Sequence, residues 1–179
     1  MAMLEIDTRF PPISPPKAYA ISRAASSLLA LDLGSRTGWA LRGASGIITS
    51  GTNLYRPGRF EGAGMAFVRF DGWLSDIARA SGPLASVVFE EVRAHAGTLA
   101  AQVYGGFLAH LAAWCERKAV PYLGVPVGTI KRHATGKGNA SKEDVIAAMR
   151  ARGHAPCDDN EADALAILDW AISQRIGGA

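Results

Sequence analysis

The stretch Leu29-Ala30-Leu31-Asp32-Leu33-Gly34-Ser35-Arg36-Thr37-Gly38-Trp39-Ala40 decides how the rest of the chain is read. Leu28 to Leu33 is a short apolar run ended by Gly34, and Thr37 to Arg42 follows after Ser35 and Arg36. Two strands joined by a tight turn fit this punctuation. Asp32 falls inside the first of them. An ionised carboxylate in an apolar strand has to be paired, hydrogen-bonded or bound to a cation, because its desolvation is otherwise uncompensated. The plainer alternative is a strand-end residue that caps the Gly34 turn.

Working outward, Gly46 to Thr52 reads as a third strand, set off from the second by Gly43 and Ser45. Ala63, Phe67, Phe70, Leu74 and Ile77 recur at helical spacing and form one apolar face. Leu84 to Phe89 reads as a fully buried strand closed by Glu90 and Glu91. A long helix is expected from Gly97 to Lys118, then a strand over Val120 to Val125 and a basic segment to Gly138. A helix after Asn139 to Ser141 and a last one from Asp158 to Arg175 complete the chain. The order β-β-β-α-β-α-β-α-α predicts an α/β fold, in which an antiparallel three-strand meander and two parallel strands form one mixed five-stranded sheet flanked by helices.

The last helix opens with Asp158-Asp159-Asn160-Glu161-Ala162-Asp163. Asp159 and Asp163 are four apart and share a helix face, and Asn160 reaches the same side. Like charges on one face repel, and a divalent cation relieves the repulsion. Oxygen-only ligands select magnesium or manganese over zinc. The cluster also fits a helix N-terminus that simply favours negative charge, and Glu90 or Glu91 also fits a solvent-facing position.

Composition narrows the classes. The chain has 179 residues, 49% of them hydrophobic and 20% charged, so disorder, collagen and coiled coil do not describe it. Cys115 and Cys157 share no metal-ligand spacing with each other or with the four histidines, which argues against a disulfide scaffold and a zinc site. A reducing, cytoplasmic setting is expected. Residues 1–27 carry Pro11, Pro12, Pro15 and Pro16 without periodicity, predicting an extended or disordered tail that is a poor secretory signal, ahead of one domain over 28–179. Ala96 to Cys115 lacks charge, but Gln102, His110, Gly105, Gly106 and its alanines dilute it too far for a membrane span. A helix buried on several sides is expected instead, partly against a second copy of the chain. From Arg93 to Arg152 nine basic side chains face three acidic ones, an excess of six that suits a polyanion or a solvated face. Gly136-Lys137-Gly138 lacks the glycine spacing and the hydroxyl of a nucleotide phosphate loop.

Taken together, the 29–40 stretch, Val88-Phe89-Glu90-Glu91-Val92, the lysines Lys131 and Lys142, and Glu161-Ala162-Asp163-Ala164-Leu165-Ala166 resemble the RuvC Holliday junction resolvases of the ribonuclease H-like superfamily. The resemblance spans Leu28 to Trp170. It implies a magnesium-dependent, structure-selective DNA endonuclease that cleaves branched DNA such as Holliday junctions as a homodimer, with no nucleotide cofactor and no membrane. By matching position, Asp32, Glu90 and Asp163 would hold two magnesium ions, which manganese would replace. Lys142 would neutralise developing phosphate charge. Arg93, Lys131, Arg132, Lys137 and Lys142 would contact nucleic acid.

The chain also departs from the family. Asn160 stands where the family usually has an Asp, with Asp159 beside it; Asp159 is taken as the fourth metal ligand, with Asn160 as the alternative. Arg93 stands where an aromatic wedge often lies, with Tyr104 or Phe107 as alternatives for that role. Of the family's glycine-rich run in the long helix, only Gly105 matches. Competing readings are a non-catalytic nucleic-acid-binding module on the same fold, a YqgF-type RNA-processing nuclease, and an actin-like ATP-binding domain, for which one domain is too few.

Overall fold

A computed structural model describes residues 26–92 and 97–177 of the protein. The expectation of a tail over 1–27 lies outside them except at its end, where Ser27 already belongs to a strand. Five strands, β1 (Ser27–Asp32), β2 (Arg36–Arg42), β3 (Ile48–Leu54), β4 (Leu84–Glu91) and β5 (Tyr122–Pro126), form one sheet in the order β3-β2-β1-β4-β5. The first three are antiparallel, and β4 and β5 run parallel to β1. The five helices are α1 (Met65–Ser81), α2 (Thr98–Lys118), α3 (Val127–Thr135), α4 (Lys142–Ala151) and α5 (Asp159–Ser173). This is the mixed sheet expected from the sequence.

Two boundaries move and a fifth helix is added, each for a local reason. The β2–β3 turn is longer than expected, because Gly43 donates to the Ile47 carbonyl (2.8 Å) and Gly46 takes a positive φ of 85°, so β3 starts at Ile48. α2 stops with Ala119 in the left-handed region (φ 52°), and Val120 donates back to the Cys115 carbonyl, so β5 begins only at Tyr122. The basic segment contains α3. Ile130 and Ala134, four apart, are its buried face, and Gly136 (φ 82°) is its stop.

Alternation along β1 divides the core. Leu29 and Leu31 point to one face with Phe70, Leu74, Phe107, Leu111 and Trp114 of α1 and α2. Leu28 and Ala30 point to the other with α3, α4 and α5. Phe107 and Leu111 are 1% and 0% exposed, so they hold α2 on its own sheet and are not available to a second copy. Tyr104, at 8%, is likewise buried, and neither aromatic can act as an external wedge. Among the described residues, no helix is long and apolar enough to cross a membrane.

Candidate active site

The sheet brings the first two carboxylates together by register alone. β1 and β4 are parallel neighbours with Leu31 beside Phe89, so Asp32 and Glu90 follow one step later at the same sheet end. Asp32 has the parity of Leu28 and Ala30, and Glu90 that of Val88, so both point to the α5 face. Glu91 has the opposite parity. Asp32 is the last residue of β1 and half-buried, and the turn after it is closed by Thr37, whose hydroxyl donates to the Gly34 carbonyl at 2.7 Å.

α5 delivers the others. Its N-cap is Asp158, which accepts from the Glu161 amide (2.9 Å) and the Thr52 hydroxyl (2.7 Å) and pairs with Arg36 (3.4 Å). Burial pushes Asp158 upward, but these hydrogen bonds and Arg36 outweigh it and hold the carboxyl below its ordinary range. Asp158 is therefore a structural cap. Asp163, one turn further along, is half-buried near Asp32 and Glu90.

Lys142 is the first residue of α4, held there by a Ser141–Asp144 capping box. Its ammonium pairs with Asp159. That hydrogen bond lowers Asp159 and raises Lys142. Lys131, on α3, donates to the Ala140 carbonyl at 2.7 Å, so it is half-buried and tied rather than freely exposed.

These groups act on one another. Asp32 is raised well above the carboxylate range, first by burial and then by the charges of Glu90 and Asp163, with Lys142 opposing. Glu90 is pushed up to about 7 by burial and by Asp163, against Lys131 and Lys142. Asp163 is raised by burial, again against both lysines. Three carboxylates that resist ionising together, beside two ammonium groups, form a concentrated electrostatic site.

The donor set is all oxygen and carries excess negative charge, which fits a hard divalent cation in chemistry. Among the described residues, no three Asp, Glu, His or Cys side chains stand close enough to enclose an ion by themselves.

Arg132 and Lys137 are exposed, in the last turn of α3 and just after its glycine stop. Arg93 lies outside the described residues. His133 bonds Asp169 (2.7 Å) and is half-buried. Arg152 joins the same carboxylate and caps α3 through the His133 and Ala134 carbonyls (3.0 and 2.9 Å).

Tyr104, an alternative for the wedge, instead holds the backbone inside the protein. Its hydroxyl donates to the Glu90 carbonyl (2.8 Å) and accepts from the Val92 amide (3.3 Å), fixing the chain as it leaves β4. Its only sequence signal is a phenol in an uncharged helix.

Solved structures share this fold. RuvC of Thermus thermophilus in complex with a Holliday junction substrate superposes with a TM-score of 0.69 over 85% of this chain and 96% of that one, at 24% identity. The chain has the RuvC fold. A second Thermus thermophilus RuvC structure gives 0.67 over 84% and 97% at 20% identity. The yeast mitochondrial Holliday junction resolvase gives 0.54 over 80% and 76% at 12% identity. No protein-family model and no curated protein matches the sequence.

Proposed function

We propose that the protein is a magnesium-dependent endonuclease that cleaves branched DNA, including four-way junctions. One observation carries this reading: on a RuvC fold, Asp32, Glu90 and Asp163 crowd at one sheet end with raised proton affinity, facing Lys131 and Lys142. Asp32, Glu90 and Asp163 hold the metal, and manganese substitutes for it. Asp159, which pairs with Lys142 here, would be the fourth ligand. Two bound cations supply activation of water and stabilisation of the leaving 3′ oxygen in phosphodiester hydrolysis. Lys142, freed from Asp159, faces the developing phosphate charge. Lys137 and Arg132, at the rim, contact the DNA backbone.

A homodimer is part of the proposal, through the exposed side of α2, where Gly105, Ala109 and Ala113 follow at helical spacing and Leu99 is 75% exposed. Ala109→Glu should leave a folded monomer in light scattering. An unchanged dimer would remove this face from consideration.

The Lys142–Asp159 pair and the open donor set favour one competing reading, a nucleic-acid-binding module without catalysis. Incubating the protein with labelled four-way, three-way and linear DNA across a magnesium titration separates the two. Magnesium-dependent cuts in branched DNA support the nuclease; tight binding without product at any magnesium concentration supports the binding module.

A further inference from the structure

Gly38 lies opposite Asp32 in the β1–β2 ladder. Its side-chain position is occupied by the main chain of α5: a Cβ built there would run into the Asn160 carbonyl and lie 3.2 Å from the Asn160 Cα. The obstacle is backbone in the first turn of a helix, so no rotamer change relieves it. By contrast, a Cβ on Gly51 in the same meander meets only the Trp39 ring, at 3.1 Å, and a Cβ on Gly34 meets the Arg36 carbonyl at 3.4 Å. Gly38 is the place where the helix bearing Asp159 and Asp163 rests on the sheet bearing Asp32.

The same turn is strapped from β3. Thr52 donates to Asp158 (2.7 Å), Ser50 donates to Glu161 (2.6 Å), and Glu161 also accepts from the Cys157 amide (2.8 Å). Glu161 is 7% exposed, a buried carboxylate fully occupied by these bonds. None of these residues faces the metal-facing carboxylates, yet together they fix where α5 begins.

We propose that Gly38 is a positioning residue: the absence of a side chain there seats the first turn of α5 on β2, and this seat, strapped by Ser50 and Thr52, sets the spacing between Asp32 and the α5 carboxylates. The inference rests on the metal-dependent reading above and deepens it. It also gives a physical reason for the second glycine of the Asp32-to-Gly38 stretch, which the turn itself does not need.

The test measures manganese binding to the metal-free full-length chain by electron paramagnetic resonance, alongside thermal unfolding, junction affinity in chelator and the magnesium half-point for cleavage. Gly38→Ala should weaken manganese binding by about tenfold or more and raise the magnesium half-point in parallel, the size expected when groups supporting metal ligands are lost. Junction affinity in chelator should stay within about twofold, because the basic contacts lie elsewhere. Gly51→Ala serves as the control for a methyl group added to the meander, and should leave manganese affinity unchanged. If Gly38→Ala does not fold, Thr52→Val decides: it should weaken manganese binding about two- to fivefold with the same direction in the half-point. A folded Gly38→Ala with wild-type manganese affinity, or an unchanged Thr52→Val where Gly38→Ala is unfolded, overturns the inference. Wild-type protein that binds no manganese and shows no magnesium response overturns the metal-dependent reading itself and, with it, this one.

Discussion

The two faces of the sheet are packed with opposite kinds of side chain. Under α1 and α2 the core is aromatic: Phe70, Phe107 and Trp114 are fully buried, Tyr55 stands edge-on to Phe70 at 5.5 Å, and Phe70 meets Phe107 edge-on at 5.2 Å. On the α5 side eight of the seventeen buried core residues are alanines and none is aromatic; the alanines include Ala30 and Ala40 of the sheet and Ala162, Ala164, Ala166 and Ala171 of α5. The distance between packed elements follows the size of the side chains at the contact. Rings hold α1 and α2 off the sheet, whereas methyl groups and Gly38 let α5 lie close to it. The three carboxylates with raised proton affinity all sit on the close side. The aromatic side stabilises and the alanine side positions.

The largest expected effect comes from deleting one charge on the close side. Asp32→Asn should abolish cleavage while leaving junction binding intact, because the basic residues at the rim are untouched. In chelator the variant should unfold at a higher temperature than wild type, since a buried charge repelled by Glu90 and Asp163 is gone. Cleavage near the wild-type rate would break the assignment of function to this face.

Next in size is a pair of core substitutions that should part stability from function. Trp114→Ala, which also removes a bond to Ser75 (2.9 Å), should cost about 3–5 kcal/mol in denaturant unfolding. Its magnesium half-point per folded molecule should not change. Ala164→Leu should cost less, about 1–3 kcal/mol, but should raise the magnesium half-point by lifting α5. Equal changes in half-point for both would mean that the two faces do not differ in role.

Much of this contrast was legible in the sequence and part of it was not. The order of strands and helices follows from apolar runs and helical spacing, and the parity of Asp32 with Ala30 is fixed once β1 is recognised. The choice of Glu90 over Glu91 rests on the resemblance alone; the residue pattern does not decide it, because it depends on which parity β4 shares with β1 across the parallel register. α3 was hidden by its charge: a run with Lys131, Arg132 and His133 reads as a solvated segment unless Ile130 and Ala134 are weighed as a helix face. The long uncharged helix points to a second copy against it, but the aromatic layer inside the protomer takes its Phe107 and Leu111. Spacing alone does not tell which apolar neighbour a residue meets.

A pH series sharpens the same comparison. Glu90 is raised to about 7 from an ordinary value near 4.5, so the folded state holds its proton more tightly than the unfolded chain. Its contribution to stability is present below about 4.5 and is lost as pH rises toward about 7. Asp32 and Asp163 shift in the same direction. In chelator, the melting temperature of wild type should therefore fall across this window, and Glu90→Gln should flatten the slope. Magnesium should flatten it too, by stabilising the ionised form. A slope unchanged in Glu90→Gln would place the titration elsewhere.

The smallest effect distinguishes two lysines of the same basic run. Lys142 is tied to Asp159, and its charge offsets the carboxylates at Asp32, Glu90 and Asp163. Lys137 is exposed between Gly136 and Gly138, just after α3. A lysine inside the site should matter to the reaction, and one at the rim only to counterion release. Lys142→Ala should therefore lower turnover more than affinity. Lys137→Ala should weaken binding to all DNA shapes about equally and reduce the slope of log affinity against log salt by about one. A modest loss is expected, because one phosphate contact among several is removed. Measured on four-way and linear DNA together, the Lys137→Ala slope also tests whether the rim discriminates shape: a change confined to the four-way junction would move Lys137 from backbone attraction to recognition of the branch, since contacts to phosphate alone carry no such information.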